Sequence, residues 1–261
     1  MKITLVQHDI AWANPQANVE RADSIISANP GADLYLLPEM FSTGFITKPV
    51  GLAEPADTDT VKWMIRKAKE MDAAICGSIA IEDGGKFYNR MFFVEPDGKV
   101  TTYDKSHLFL YAGESDNYTA GTERVIVEFR GVKILLEVCY DLRFPMWCRN
   151  SMDDEGNALY DLIIYSAEWP LARRLAWDTL IPARAIENQC FVAACSRVGN
   201  DDWGVYFGGS KIVHPYGHIL AESPEDGKEC AITGEIDMDQ LNRYRTKFPT
   251  LKDIIWKKDY C

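Results

Sequence analysis

The sequence predicts an α/β fold built as a sandwich of several layers, and three features of the chain indicate it. Apolar segments of strand length alternate with amphipathic segments of helical length from the first residues onward. Some strand segments are largely apolar, as in residues 161–166, and such strands need cover on both faces. Hairpin turns interrupt the alternation, so we expect parallel crossovers and antiparallel pairs in the same sheets.

The first half of the chain is predicted to contain two helices and five strands. Asn14 and Pro15 supply an N-cap and a first-turn residue for a helix that ends near Ala28. Apolar residues at helical spacing predict a second helix over 58–72. The turn signals DGG and PDG separate the last three strands, which predicts an antiparallel meander. The strands are predicted over 2–7, 33–38, 73–81, 87–95 and 99–105.

The second half shows the same alternation of predicted strands, hairpins and helices. A tight turn at Arg130-Gly131 predicts a hairpin whose second strand runs directly into Cys139, and Pro145 can open a helix shortly afterwards. We expect helices over roughly 171–188 and from about Met238. Further strands are predicted over 125–129, 132–138, 160–169, 190–198, 210–214, 218–221 and 229–236.

Composition narrows the classes of function. The 261 residues contain 47% hydrophobic and 26% charged residues, close to the average for globular proteins, and no linker or repeat divides them, so residues 1–261 are predicted to form a single domain. The formal net charge of −11 disfavours binding to nucleic acid or to an anionic membrane surface. No apolar run approaches the length that spans a bilayer, and the first residues lack the apolar core of a signal peptide.

Cysteine usage favours a reducing compartment. The cysteines show no C-x-x-C pair and no spacing typical of a small disulfide-rich domain, which predicts reduced thiols and a cytoplasmic location. Six of them are interpreted as small buried hydrophobic residues, and Cys139 is the exception. The seven positions are 76, 139, 148, 190, 195, 230 and 261.

Three ionisable residues stand where predicted strands end. Cys139 ends an apolar strand and precedes turn-forming residues, a position that exposes a nucleophile and directs backbone N–H groups at it. Glu39 follows the apolar segment DLYLLP, and Lys105 ends the last meander strand. Taken singly, Glu39 and Lys105 could be solvated surface charges, and Cys139 could be a buried thiol without a function. Three such residues at strand ends favour a shared functional site.

A thiol with an ordinary pKa near 8.5 is only a few per cent ionised at neutral pH, so a nucleophilic Cys139 needs a base or a cation. None of the histidines (8, 107, 214 and 218) has a spacing that indicates a Cys–His pair, although His107 lies two residues beyond Lys105. Glu39 and Lys105 are therefore the candidate partners of the thiol.

The segments around these residues resemble the motifs of a known family. LLPEMFSTGF, YDKSHLF and CYDLRFP are similar to the Glu, Lys and Cys motifs of the nitrilase superfamily of carbon–nitrogen hydrolases, and ARAIENQ extends the likeness. The match covers nearly the whole chain in order and looks most similar to the omega-amidase branch. This resemblance implies a four-layer αββα sandwich, no metal or organic cofactor, a small-molecule amide substrate and a homodimer.

The resemblance also implies roles for the residues. Glu39 would act as the base, Cys139 as the nucleophile, and Lys105 with the backbone N–H of Tyr140 as the oxyanion donors. Glu114 matches the second glutamate of the family, which positions Lys105 or the substrate, although a solvated acid is the alternative. The implied reaction is hydrolysis of the terminal amide of a 2-oxo acid monoamide, either 2-oxoglutaramate or 2-oxosuccinamate.

Such a substrate carries a free carboxylate, for which Arg143 is the candidate cation, unless it is a structural ion-pair partner. Phe41, Phe45, Phe109 and Trp169 are candidate pocket walls or core residues. Glu137 should share a strand face with Cys139 and raise the pKa of its thiol.

Three alternatives stay open. The substrate could be another small amide, such as deaminated glutathione or an N-carbamoyl compound. The chain could be a catalytically silent binding scaffold, although a scaffold has no use for Glu39, Lys105 and Cys139 together. A zinc hydrolase would need ligand spacings such as H-x-x-H, which the sequence lacks.

Overall fold

A computed structural model describes residues 1–254 and contains two large β-sheets, a short ribbon and five helices in that part of the chain. The first sheet has the strand order β15-β1-β2-β4-β5-β6, with β3 paired to β4. Its strands are β1 Lys2–Gln7, β2 Leu34–Leu36, β3 Glu54–Pro55, β4 Ala74–Asp83, β5 Lys86–Val94, β6 Val100–Asp104 and β15 Cys230–Glu235. Strands β4, β5 and β6 form the predicted antiparallel meander.

The second sheet has the order β14-β13-β10-β9-β8-β7, and β8, β9 and β10 run parallel in its centre. Its strands are β7 Ile126–Phe129, β8 Val132–Val138, β9 Leu162–Ala167, β10 Phe191–Ser196, β13 Lys211–Val213 and β14 Ile219–Glu222. The ribbon pairs β11 Val198–Asp201 with β12 Gly204–Phe207. The helices are α1 Pro15–Ala28, α2 Asp59–Met71, α3 Glu114–Asn117, α4 Arg174–Asn188 and α5 Met238–Lys247.

Three apolar clusters separate four layers. Alternate side chains of the two sheets meet in a central cluster, where Leu36 and Phe93 of the first sheet join Ile134 and Ile164 of the second. The other face of the first sheet packs against α1 and α2, and the other face of the second sheet packs against α4. This arrangement confirms the predicted α/β sandwich with αββα layers.

The helix ends follow their sequence signals. The Asn14 side chain accepts a hydrogen bond from the Ala17 N–H, with Pro15 in the first turn, as predicted for α1. Thr58 caps α2, and Asp72 ends it in the left-handed conformation at a φ of 46°. The predicted helix over 171–188 begins with a 3-10 turn, Leu171–Arg173, before α4 proper.

The structure corrects one local prediction and adds one element. Pro145 does not open a helix, because the chain instead forms the 3-10 helix Cys139–Arg143 directly after β8 and then a turn. The ribbon of β11 and β12 was not predicted as a hairpin, since Asp202 and Trp203 are not a typical turn pair. Within residues 1–254, no helix has both the length and the apolar character needed to cross a membrane.

The cysteines are free thiols wherever the structure describes them. Cys76, Cys148, Cys190 and Cys195 are buried, as predicted, whereas Cys230 is only partly buried. Cys261 lies outside the described residues.

Candidate active site

One pocket at the ends of strands from both sheets contains the three residues singled out by the sequence. Glu39 follows β2 after a short link, while Lys105 follows β6 and Cys139 follows β8 directly. Strands β2, β4 and β6 run in the same direction, so the ends of β2 and β6 meet at the same edge of the first sheet. The packing of the two sheets brings the end of β8 to this edge from the other side.

The Glu39 carboxylate is buried and held at both oxygens. Its Oε1 accepts hydrogen bonds from the Lys105 Nζ and the Asn89 Nδ2, both at 2.8 Å. Its Oε2 accepts a hydrogen bond from the backbone N–H of Glu168 at 3.1 Å. The next residue, Met40, has a φ of 40°, a left-handed conformation that turns the chain sharply after the acid.

Lys105 lies between two carboxylates. Its Nζ is 2.8 Å from Glu39 Oε1 and 2.8 Å from Glu114 Oε2, and all three side chains are almost completely buried. Glu114 is held in turn by the Asn89 Nδ2 at 2.9 Å and by the Phe109 backbone N–H at 2.6 Å. Glu114 is therefore an integral part of this buried network and is not a solvated loop acid.

The charges of this network keep Lys105 protonated. Burial lowers the pKa of Lys105, but the adjacent Glu114 and Glu39 raise it by more, so the pKa lies above its ordinary value. Burial raises the pKa of Glu114, with Lys105 opposing that shift. Lys105 is thus a fixed ammonium group with three N–H donors, two of which the nearest carboxylate oxygens occupy.

Residues 119–121 pack closely against the backbone of Lys105 and hold it in place. The Gly121 N–H donates to the Lys105 carbonyl at 3.0 Å. A Cβ at Gly121 would lie 2.1 Å from the Asp104 carbonyl oxygen, so any side chain there would push the two segments apart.

Cys139 has the strained backbone of a strand-to-turn nucleophile. Its φ is 42°, which costs energy for a residue with a side chain and is retained where the surrounding contacts enforce it. Burial and then Glu39 raise the pKa of the thiol well above its usual range, against the opposing effect of Lys105. The resting sulfur is therefore a neutral thiol that needs a base, and its S–H points to the Glu168 carbonyl at 3.8 Å.

Asp141 holds the turn that follows the nucleophile. Its carboxylate accepts hydrogen bonds from the Val138 N–H, the Tyr103 hydroxyl and the backbone N–H of His107. The Nδ1 of His107 also lies 2.8 Å from Asp141, so this imidazole is engaged in supporting the turn. The N–H of Tyr140 lies in the first turn of the 3-10 helix, where no preceding carbonyl of that helix can accept it.

Glu137 does not act on the pocket in the way the strand pattern predicted. Burial and Glu39 are the two leading causes of the raised Cys139 pKa, whereas the charge of Glu137 raises the pKa of the Cys148 thiol. Burial also raises the pKa of Glu137 itself, and neither of its oxygens has a hydrogen-bond partner among the described residues. We have no functional explanation for this acid.

Aromatic and basic side chains form the rest of the pocket. Phe45 lies under the ammonium of Lys105, with the Nζ 5.4 Å from the ring centre, and the guanidinium of Arg143 lies 5.1 Å from the ring centre of Trp169. Phe109 is also part of the wall. Of the two alternatives for Phe41, the structure shows the core residue, because Phe41 is fully buried between the first sheet and α2, against Trp63.

Sequence reasoning missed several pocket residues. Glu168 directly follows the apolar strand β9, so the strand-end argument used for Glu39 could have identified it. Arg173, in the 3-10 turn before α4, stacks on Phe109 and Tyr111, and no local signal marks it. The pocket is lined by Glu39, Phe45, Lys105, Phe109, Tyr111, Cys139, Tyr140, Arg143, Glu168, Trp169, Pro170, Arg173, Trp203 and Tyr206. In residues 1–254, no three His, Cys, Asp or Glu side chains are grouped so that they could hold a metal ion.

Comparisons with known proteins identify the family of the chain. The sequence profile described as carbon-nitrogen hydrolase matches residues 2–246. The chain is 43% identical to the omega-amidase YafV of Yersinia enterocolitica, over 97% of this chain and 96% of the relative. It is 36% identical to the 2-oxoglutaramate amidase of Bacillus subtilis, over 97% and 96% of the two chains.

A solved structure is similar over almost the full length. The crystal structure of XC1258 from Xanthomonas campestris, a CN-hydrolase superfamily protein with an arsenic adduct in its active site, has a TM-score of 0.94 and 39% identity. The alignment covers 98% of each chain. The fold and these relatives define a hydrolase that acts on carbon–nitrogen bonds other than peptide bonds. The chain belongs to the carbon-nitrogen hydrolase family of the nitrilase superfamily.

Proposed function

We propose that the protein is an omega-amidase that hydrolyses the terminal amide of a short 2-oxo acid monoamide, 2-oxoglutaramate or 2-oxosuccinamate, to the dicarboxylate and ammonia. The observation that carries this proposal is the pair of guanidinium groups in the pocket. Arg143 and Arg173 line the same pocket as Cys139, and among the described residues neither forms an ion pair with a carboxylate. In a chain of net charge −11, two such cations beside a nucleophile favour a substrate with an anionic end.

The proposed reaction begins at the thiol. Glu39 takes the S–H proton as the sulfur attacks the amide carbon, a C–S bond forms, and the carbonyl electron pair moves onto oxygen. The free N–H of Lys105 and the N–H of Tyr140 donate to this oxyanion. Collapse of the tetrahedral intermediate breaks the C–N bond, and Glu39 returns the proton to the nitrogen, which leaves as ammonia.

The second half of the reaction hydrolyses the thioester. Glu39 takes a proton from water as the water oxygen attacks the thioester carbon, and the C–S bond then breaks to release the carboxylic acid. The proton returns to sulfur, so the enzyme is regenerated without a net change in its charge. Glu114 keeps Lys105 oriented throughout this sequence, because it holds the ammonium opposite Glu39.

The acid end of the substrate would lie against the basic side of the pocket. Arg143 is proposed to bind the carboxylate, with its guanidinium 5.1 Å from the ring centre of Trp169. Arg173, which lies over the rings of Phe109 and Tyr111, would contribute a second cation. Phe45 would contact the aliphatic part of the substrate beside Lys105.

Ammonia release from a panel of amides tests the substrate. We expect 2-oxoglutaramate to give the highest kcat/KM, above glutamine, deaminated glutathione, an N-carbamoyl amino acid and a simple nitrile. Cys139→Ala should release no ammonia from any of them. A neutral amide that exceeded 2-oxoglutaramate would contradict the proposal, and a chain that hydrolyses nothing would support the binding-scaffold alternative.

Arginine variants test how the acid end is bound. Arg143→Met and Arg173→Met should each raise KM for 2-oxoglutaramate by about 10-fold or more, since a charge-assisted hydrogen bond contributes about 1.5–3 kcal/mol. Arg174→Met is the matched control, because Arg174 pairs with Asp178 outside the pocket. An unchanged KM in a stably folded Arg143 variant would remove Arg143 from the proposed binding site.

We also propose that the enzyme is a cytoplasmic homodimer that needs no cofactor. The free thiols in the described part of the chain support the location. Leu175 and Ile186 of the outer helix α4 are exposed apolar residues, which supports association through this layer. Light scattering should give twice the chain mass, and Leu175→Glu should shift the protein to the monomer.

A further inference from the structure

Glu168 connects the base and the nucleophile through its own backbone. It follows β9, and its N–H donates to Glu39 Oε2 at 3.1 Å while its carbonyl accepts the Cys139 S–H at 3.8 Å. The position of this residue is thus fixed relative to the reacting sulfur. Any group that its side chain offers to the pocket lies at a defined place beside the bound substrate.

The Glu168 side chain has one oxygen that is hydrogen-bonded and one that is buried without a partner among the described residues. Oε2 accepts a hydrogen bond from the Arg197 Nη1 at 3.1 Å. Oε1 is buried and has no hydrogen-bond partner among the described residues, although the residue lines the pocket. A buried carboxyl oxygen without a partner is costly, and a ligand that supplies the missing partner removes that cost.

The charges around Glu168 decide whether this oxygen donates or accepts. The single cation Arg197 contacts three carboxylates, those of Asp9, Glu168 and Asp201. Side-chain exposure is 44% for Asp9, 9% for Asp201 and 1% for Glu168. Glu168 therefore gains least from solvation, and Glu39 adds a further negative charge beside it.

Glu168 is accordingly the acid in this cluster that holds a proton. Burial raises the pKa of Glu168 to about 8, with Arg197 opposing the shift and Glu39 and Asp201 adding to it. The charged and titratable groups that surround it are Asp9, Glu39, Cys139, Arg197, Asp201 and Tyr206. Because Arg197 donates to Oε2, the proton belongs on Oε1, which makes Oε1 a donor.

We propose that Glu168 is a substrate-binding residue that acts as a neutral carboxylic acid and donates its Oε1–H to an oxygen of the 2-oxo acid end of the substrate. This inference rests on the proposed function. A neutral acid binds an anionic substrate where an ionised Glu168 would repel it, so the donor works together with Arg143 and Arg173. The same contact requires a short acyl chain, since the acid end must reach a residue whose backbone touches the sulfur.

Two variants separate a donor from an acceptor. In Glu168→Gln, the Gln carbonyl can accept from Arg197 while its NH₂ group replaces the donor, and nothing at the site titrates. We expect Glu168→Gln to retain a much larger share of the parent kcat/KM for 2-oxoglutaramate at pH 7 than Glu168→Leu does. Glu168→Leu keeps the approximate volume without the donor, and it should lose about 10- to 100-fold in kcat/KM, mainly through KM.

The pH profile is the readout that a structural role would not change. In the parent enzyme, kcat/KM should fall as the pH rises through about 8, because ionised Glu168 repels the substrate. Glu168→Gln should remove this alkaline limb. Alkylation of Cys139 by iodoacetamide, measured for each variant, controls for an intact pocket.

Each outcome decides the proposal. Strong loss of activity in Glu168→Gln with normal Cys139 alkylation would mean that Glu168 works as a carboxylate, which overturns the inference. An alkaline limb that persists in Glu168→Gln would overturn it as well. If the parent enzyme does not hydrolyse 2-oxoglutaramate, both the proposed function and this inference are wrong. If the parent enzyme is active but the Glu168 variants behave otherwise than expected, only this inference is wrong.

Discussion

The two walls of the pocket differ in how completely their charged groups are paired. The wall from the first sheet holds Glu39, Lys105 and Glu114, whose charged groups are buried and bonded to one another and to the Asn89 Nδ2. The wall from the second sheet holds Cys139, whose thiol donates to the Glu168 carbonyl at 3.8 Å. Arg143, Glu168 and Arg173 also line the pocket, and the Glu168 Oε1 has no hydrogen-bond partner among the described residues.

This difference suggests that the first wall carries out the chemistry and the second wall binds the substrate. The charges of the first wall are already buried and paired in the folded protein, so Lys105 and Glu39 need little rearrangement when an oxyanion forms. The second wall keeps strain at Cys139 and unpaired groups beside it, which a substrate can relieve. Substitutions in the first wall should therefore affect both stability and kcat, and substitutions of binding groups in the second wall should affect KM.

The largest effect is expected at the nucleophile. Cys139→Ala should lower kcat by at least about 10⁴-fold, because no other group can form the thioester. Thermal unfolding should change far less than kcat, since the substitution removes one sulfur atom and no charge. Cys230→Ala is the matched control, as Cys230 is a partly buried free thiol in β15, outside the pocket.

Substantial turnover in Cys139→Ala would contradict the role of Cys139 as the nucleophile. In that case the strain at this position would serve the fold and not the reaction.

Lys105→Met should affect both catalysis and stability. Loss of the ammonium removes an oxyanion donor, with an expected decrease in kcat of about 10²–10³-fold. It also leaves Glu39 and Glu114 buried without a cation, which should cost about 3–5 kcal/mol in the free energy of unfolding. Activity assays and urea denaturation measure the two effects.

Lys99→Met provides the contrast, since Lys99 pairs with Glu95 in the exposed turn between β5 and β6 and its loss should barely change the free energy of unfolding. Equal losses of stability for the two lysines would contradict the role given to the buried network.

Asn89→Leu should have a smaller effect on the same wall. The Asn89 Nδ2 donates to both Glu39 and Glu114, so its removal leaves each carboxylate one partner short. We expect a loss of about 1–3 kcal/mol in unfolding free energy and a lower kcat with KM little changed. A change confined to KM would instead assign Asn89 to substrate binding.

The smallest expected effect is a pH dependence of stability near the second wall. Burial lowers the pKa of His8, next to Asp9 of the Arg197 cluster, to about 4, so His8 is neutral in the folded protein. The unfolded chain binds this proton below about pH 6.5, which favours unfolding as the pH falls. Between pH 7 and pH 5 the loss should be about 2 kcal/mol, measured by urea denaturation, and it should be absent in His8→Gln.

Much of the fold could be predicted because its signals are local. Asn14 with Pro15 marks the start of α1, and the turns after Asp83 and Pro96 mark the meander. The ends of apolar strands likewise pointed to Glu39, Lys105 and Cys139. Asn89 and Arg173 could not be predicted because their roles depend on residues distant in sequence. Asn89 contacts Glu39, 50 residues away, and Arg173 contacts Phe109 on another loop.

The central claim is a covalent acyl intermediate on Cys139, and mass spectrometry of acid-quenched enzyme during turnover tests it most directly. With 2-oxoglutaramate, the account predicts an added mass equal to the substrate minus ammonia on the peptide that contains Cys139, and no such adduct in Cys139→Ala. Rapid turnover with no adduct at any quench time, or an adduct on a different cysteine, would contradict the account.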